Sequence, residues 1–134
     1  MIIDNELIFS DDQSIAHAAG SFNSTVLGFV KDGGVYDNAW LFIKISTAVA
    51  SAASGASVEF ALHTSNDGFS SDDDVLFTTG AIAEASLTAD TVIVRARVPL
   101  GLKQDTKIVF TVSGETTTAG TAYAAIVPDV NEAV

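Results

Sequence analysis

Val58-Glu59-Phe60-Ala61-Leu62-His63-Thr64 alternates along the chain, with Val58, Phe60 and Leu62 falling on one side and Glu59 and His63 on the other. A period of two marks an extended chain with one dry face, because successive strand side chains point to opposite sides. A strand with one apolar face needs a second layer to cover it, so this stretch commits the chain to a packed sheet. The same alternation recurs three times. Leu41, Ile43 and Ile45 point inward against Lys44 and Ser46, and Val92, Val94, Ala96 and Val98 against Arg95 and Arg97. Ile108, Phe110 and Val112 do so against Lys107, Thr111 and Ser113.

Weaker strand signals lie at Leu7 to Phe9, Thr25 to Phe29, Val75 to Thr79 and Thr121 to Val127, which brings the expected number to about eight. Turn residues separate most of them: Asp32-Gly33-Gly34, Ser54-Gly55, Asn66-Asp67-Gly68, Leu100-Gly101 and Ser113-Gly114. No window carries a 3.6-residue apolar stripe of helical length. The alanine-rich stretch Ala48 to Ala56 has a helical composition, but Ser51, Ser54 and Gly55 interrupt it, and it reads as a loop between two strands. The expected fold is therefore all-β, an antiparallel β-sandwich of jelly-roll or related Greek-key type. The Cys-Trp-Cys pattern that would favour a seven-strand immunoglobulin type is missing. With no internal repeat and no linker, residues 1–134 read as one domain, preceded by a short N-terminal arm over about 1–7.

Composition narrows the function classes. Hydrophobic residues make up 48% of the chain, too many for a disordered segment. Seventeen acidic residues against six basic ones leave a formal charge of −11. That balance opposes binding to nucleic acid or to anionic membrane surfaces, both of which need Lys and Arg to replace counterions. Cysteine is absent, which removes disulfides and thiolate metal sites. The opening Met1-Ile2-Ile3-Asp4-Asn5-Glu6 has no basic n-region, and apolar runs such as Ala39-Trp40-Leu41-Phe42-Ile43 are too short to span a bilayer. The expectation is a soluble protein made in the cytoplasm.

The chain offers little chemistry. His17 and His63 have no partners at a metal or acid–base spacing and read as ordinary surface or edge residues. No Gly-x-Ser-x-Gly elbow and no Gly-rich phosphate loop occurs. Asn66-Asp67-Gly68-Phe69-Ser70-Ser71-Asp72-Asp73-Asp74 gathers oxygen donors of the kind calcium takes, but its spacing lacks the closing glutamate of an EF-hand. A loop of Asx-type turns accounts for it as well, and no metal is expected there. No catalytic residue, cofactor or small-molecule substrate is expected, and the chain does not read as an enzyme.

What remains are surface features. Arg95 and Arg97 share the outward face of one strand, where they fit a seam against carboxylates of a neighbouring subunit, or a solvated face that blunts a sheet edge. Trp40, beside Tyr36, fits either an interface anchor or a core residue. Ile2, Ile3 and Leu7 place apolar side chains in the N-terminal arm, Met1 to Leu7, which is free to reach a neighbour.

The opening Ile2-Ile3-Asp4, then Leu7, Phe9-Ser10-Asp11 and Gln13, resembles the start of capsid cement (decoration) proteins of short-tailed phages, whose type member comes from a Bordetella phage. The likeness continues through Leu62-His63-Thr64-Ser65-Asn66-Asp67 with Phe69-Ser70, then Gly80-Ala81-Ile82, Val98-Pro99-Leu100-Gly101-Leu102-Lys103 and Thr118-Ala119-Gly120. These pieces are collinear over nearly the whole chain, though the family usually carries a longer C-terminal tail than 128–134 here. The resemblance implies a jelly-roll subunit that forms homotrimers on the outside of an icosahedral shell. There it bridges neighbouring major capsid protein subunits, with no enzymatic residues to carry over. On that reading Ile2, Ile3, Leu7, Trp40, Arg95 and Arg97 are the candidate capsid or trimer contacts, and the protein belongs to the virion surface. The rival expectation is a carbohydrate-binding module or part of a phage receptor-binding fibre, which would stack sugars on exposed Trp and Tyr.

Overall fold

The computed structural model describes residues 8–28, 40–98 and 103–127. Their strands are β1 (Ile8–Ser14), β2 (Gly20–Asn23), β3 (Leu27–Gly28), β4 (Trp40–Ser51), β5 (Ser57–Ser65), β6 (Asp74–Thr78), β7 (Ile82–Ala83), β8 (Val92–Arg97), β9 (Asp105–Ser113) and β10 (Thr117–Val127). Among the described residues the one helical element is a 3-10 turn at Glu84–Ser86. One sheet has the order β1-β10-β4-β8, the other β2-β9-β5-β6, with β3 also on β9 and β7 also on β5. Because β2 and β3 share one partner and β6 and β7 another, the strand segments fill eight positions.

The pairing is nested and antiparallel throughout. β1 pairs with β10, β2 with β9, β4 with β8 and β5 with β6. A chain paired in this way is one long hairpin rolled on itself, with β10 closing onto β4 and β9 onto β5. This is the jelly-roll sandwich expected from the alternating strands.

The inward side chains are those the period of two selects. Val58, Phe60 and Leu62 are fully buried at 0% exposure, and they lie in register with Val112, Phe110 and Ile108 of β9. Leu41, Ile43 and Ile45 of β4 and Ala122, Ala124 and Ile126 of β10 close the core from the other sheet. Phe60 meets Phe110 edge-on at 5.5 Å, the geometry the ring quadrupoles favour. Phe22 stacks on Phe110 at 5.0 Å and His17 on Phe22 at 4.4 Å, so an aromatic column runs from the core to the surface.

Three readings are corrected, and one strand is added. The Ala48–Ala56 stretch is not a loop through its length, because β4 continues to Ser51 and pairs with β10 as far as Thr117. Its small residues serve packing: a Cβ on Gly120 of β10 would lie 3.0 Å from both Ile15 and Val49. The turn comes only after Ser51, where the Glu115 carboxylate accepts the backbone N–H groups of Ala53 and Gly55. Val92 does not point inward. A register shift pairs Ile43 with Val94 but Lys44 with Val92, so Ile93 joins the core side and Val92 the outer face. The strand over Thr25 to Phe29 reduces to Leu27–Gly28, with Phe29 outside the described residues. β2 gave no sequence signal, and it holds because its full length pairs with β9. The Met1 to Leu7 arm, Asp32-Gly33-Gly34 and Leu100-Gly101 also lie outside the described residues.

Candidate functional site

The outer face of the β1-β10-β4-β8 sheet is unlike an ordinary solvated face. Phe42 and Ala125 are 1% and 0% exposed there, with Ile8, Trp40, Val92 and Tyr123 half-buried around them. Register builds this patch: Ile8 lies opposite Ala125, Ala125 opposite Phe42, and Phe42 opposite Arg95. Tyr123 and Val92 flank Lys44 on its two sides, and Trp40 lies opposite Arg97. The sequence signal for it was the unbroken run Trp40-Leu41-Phe42-Ile43, since a strand apolar on both faces is covered on both faces.

Polar groups frame the patch. The Arg97 guanidinium stands 5.9 Å over the Trp40 ring, and Arg95 beside it is exposed. Phe42 meets Tyr123 edge-on at 6.4 Å. The Tyr123 hydroxyl is buried without a hydrogen-bond partner. Burial, and then the negative charges of Asp11 and Asp12, push its pKa up. Asp12 accepts a 2.6 Å hydrogen bond from the Ser46 hydroxyl, and Lys44 lies 3.8 Å from Asp90. The sheet therefore carries Asp11 and Asp12 on one edge strand and Arg95 and Arg97 on the other.

Of the residues picked out from sequence, the fold gathers Trp40, Arg95 and Arg97 into one corner of this face, although 55 positions separate Trp40 from Arg95 in the numbering. Ile2, Ile3 and Leu7 lie outside the described residues, as does Tyr36. Trp40 is half-buried under its guanidinium rather than presented as a bare ring.

The acidic loop is satisfied from within. The Asp67 carboxylate accepts the backbone N–H groups of Ser70, Ser71 and Asp72 and the hydroxyls of Ser65 and Ser71. Those bonds, the Ser71 and Ser65 hydroxyls foremost, hold it well below the usual carboxylate range. The Lys103 ammonium sits 2.9 Å from Asp72 and 2.5 Å from Asp74, so the loop has a built-in cation. Lys103 lowers the Asp72 pKa, and Asp74 followed by Asp72 raises that of Lys103. Among the described residues no group of three or more His, Cys, Asp or Glu is arranged to hold a metal. His63 Nδ1 bonds Asp73 at 2.6 Å and His17 Nδ1 bonds the Ala18 carbonyl at 2.9 Å, so each histidine is engaged locally.

Glu84 escaped the sequence reading. Its carboxylate is buried and accepts the N–H groups of Ser51 and Ala56 at 3.1 Å, together with the Ser51 hydroxyl. The Ser51 hydroxyl and those backbone bonds lower its pKa against the cost of burial. Both carboxylate oxygens bond the β4–β5 turn, which makes it a structural tie.

Fold and surface together define a jelly-roll β-sandwich with one amphipathic, charge-framed outer sheet. The Bbp16 family model, a family of Bordetella phage proteins, matches residues 9–126, and the chain belongs to that family. No curated protein matches the chain. Among the described residues no helix is long and apolar enough to cross a membrane.

Proposed function

We propose that this chain is a cement protein of a tailed-phage capsid, a non-enzymatic virion component that binds the outer shell surface as trimers and bridges neighbouring major capsid protein subunits. One observation carries the reading: a member of a phage-protein family has a second apolar cluster, Phe42 and Ala125 with half-buried Ile8, Trp40, Val92 and Tyr123, on the outer side of a sheet whose inner side already closes the core. Half-buried aromatic and apolar side chains rimmed by charge suit a protein–protein contact. A ligand that binds the assembled shell and not free subunits shifts the equilibrium against disassembly. Three linked copies multiply modest contacts through effective concentration.

The test is co-sedimentation of the purified chain with shells of its source phage from which it has been stripped. Saturable pelleting at a fixed ratio to capsid subunits, with shells then surviving higher temperature, is the expected outcome. Absence of pelleting with both precursor and expanded shells overturns the reading.

A further inference from the structure

We propose that the sandwich docks on the shell through its β1-β10-β4-β8 sheet, with the other sheet turned to solvent. The Trp40/Arg95/Arg97 corner receives a segment of the capsid protein that carries a carboxylate beside an apolar side chain. The inference rests on the cement reading above and names the docking face and the chemistry of what it takes.

Register lays out the corner. Ile8, Ala125, Phe42 and Arg95 form one row across the four strands, and Trp40 and Arg97 stand side by side in the next. The row on the other side holds Tyr123, Lys44 and Val92. Cross-strand partners and residues two apart on a strand share a face, so Arg95 and Arg97 both border the Phe42 cluster on its outer side.

Charge accounting singles out Arg95. Of the other basic residues, Lys31 lies outside the described residues. Lys44 pairs with Asp90, Lys103 with Asp72 and Asp74, Lys107 lies 4.2 Å over the Phe69 ring and Arg97 lies over Trp40. Arg95 is exposed and has no ion pair among the described residues. Two carboxylates of the same sheet and its turn are engaged elsewhere, Asp12 by Ser46 and Asp90 by Lys44.

The opposite sheet is built for water. Its outward hydroxyls bond one another, Ser21 with Thr111 at 3.0 Å and Ser57 with Ser113 at 2.8 Å. His63 bonds Asp73, and Lys107 covers Phe69. Val75 is the single exposed large apolar side chain on the described strands of that sheet, and an isolated one needs no partner.

The occupant follows from the chemistry of the corner. A guanidinium matches a carboxylate with two parallel hydrogen bonds, and hydrogen bonds strengthen where a contact excludes water. A chain of net −11 repels polyanions such as nucleic acid. Half-buried Trp40 beside two arginines suits a protein segment, because Trp and Arg are enriched where such contacts are strongest.

The experiment exploits the absence of cysteine, which lets a single introduced thiol report one place. Val92→Cys lies on the docking face and Ser21→Cys on the opposite sheet. Each is treated with a maleimide, free and bound to stripped shells, and the label is read from the mass of this chain. Binding should suppress labelling of Val92→Cys and leave Ser21→Cys reactive. Arg95→Glu should weaken pelleting on the order of tenfold or more, with the melting temperature of the free chain unchanged. Glu59→Lys, on the opposite sheet, should pellet as the wild type does. Continued labelling of Val92→Cys on the shell, or wild-type pelleting by Arg95→Glu, overturns the docking face while the cement reading stands. Val92→Cys that is unreactive before shells are added means the face is already covered, which also overturns it. A wild type that never pellets removes the cement reading and this inference with it.

Discussion

Gly120 lies within β10 with φ at +135°, and a Cβ there would press on Ile15, Val49 and the Val49 backbone at 3.0–3.1 Å. Gly120→Ala must move two side chains in a finished core and adopt a backbone conformation that L residues avoid. It should lose about 1–3 kcal/mol in urea unfolding, the usual cost of overpacking. Asp67, Asp72 and Glu84 all have pKa values below their unfolded ones, held there by hydroxyls, backbone N–H groups and Lys103. A lowered carboxylate contributes stability above its unfolded pKa and loses it as pH falls through the folded value. The melting temperature should therefore be flat near neutrality and fall from the ordinary Asp and Glu range downward. Asp67→Asn should flatten part of that acid limb, and an unchanged limb would remove Asp67 from the account.

At the scale of elements, one hydroxyl reinforces the pairing of β1 with β10. Thr117, at the start of β10, donates to the Ile15 carbonyl and accepts the His17 N–H at 2.8 Å, a hundred positions away. Thr117→Val keeps the shape and strands a buried donor and acceptor. The expected loss is about 1–3 kcal/mol, with amide exchange accelerated first in β1 and β10. Phe42 tests the outer face in the same way. Truncating Phe60 should cost about 3–5 kcal/mol as a core cavity. Phe42→Ala should also reduce shell pelleting if its face is in the contact, and an effect on stability alone would confine Phe42 to a structural role. The inward face of β4 was legible from alternation, whereas its outward Trp40 and Phe42 were masked by it. The bulge that turns Val92 outward is invisible in β8 alone, because a register shift belongs to a pair of strands.

For the whole molecule, a net −11 makes free copies repel one another in solution. Stripped shells given the wild-type chain at a hundredfold excess over its dissociation constant should gain about 2.7 kcal/mol per site, read as a higher rupture temperature.

The amino-acid sequence alone determined the class of fold, since alternation in β4, β5, β8 and β9 leaves a chain no other way to bury one face per strand. It also determined the absence of thiol chemistry and the acidic surface, which are matters of composition. Only the tertiary structure decided that Trp40, Arg95 and Arg97 share a corner, that Asp11 lies at the opposite edge, and that Lys103 fills the acidic loop. Those relations depend on which strands become neighbours. Nested pairing brings together residues more than a hundred positions apart, such as Ile8 and Ala125, a distance over which local sequence pattern carries no signal.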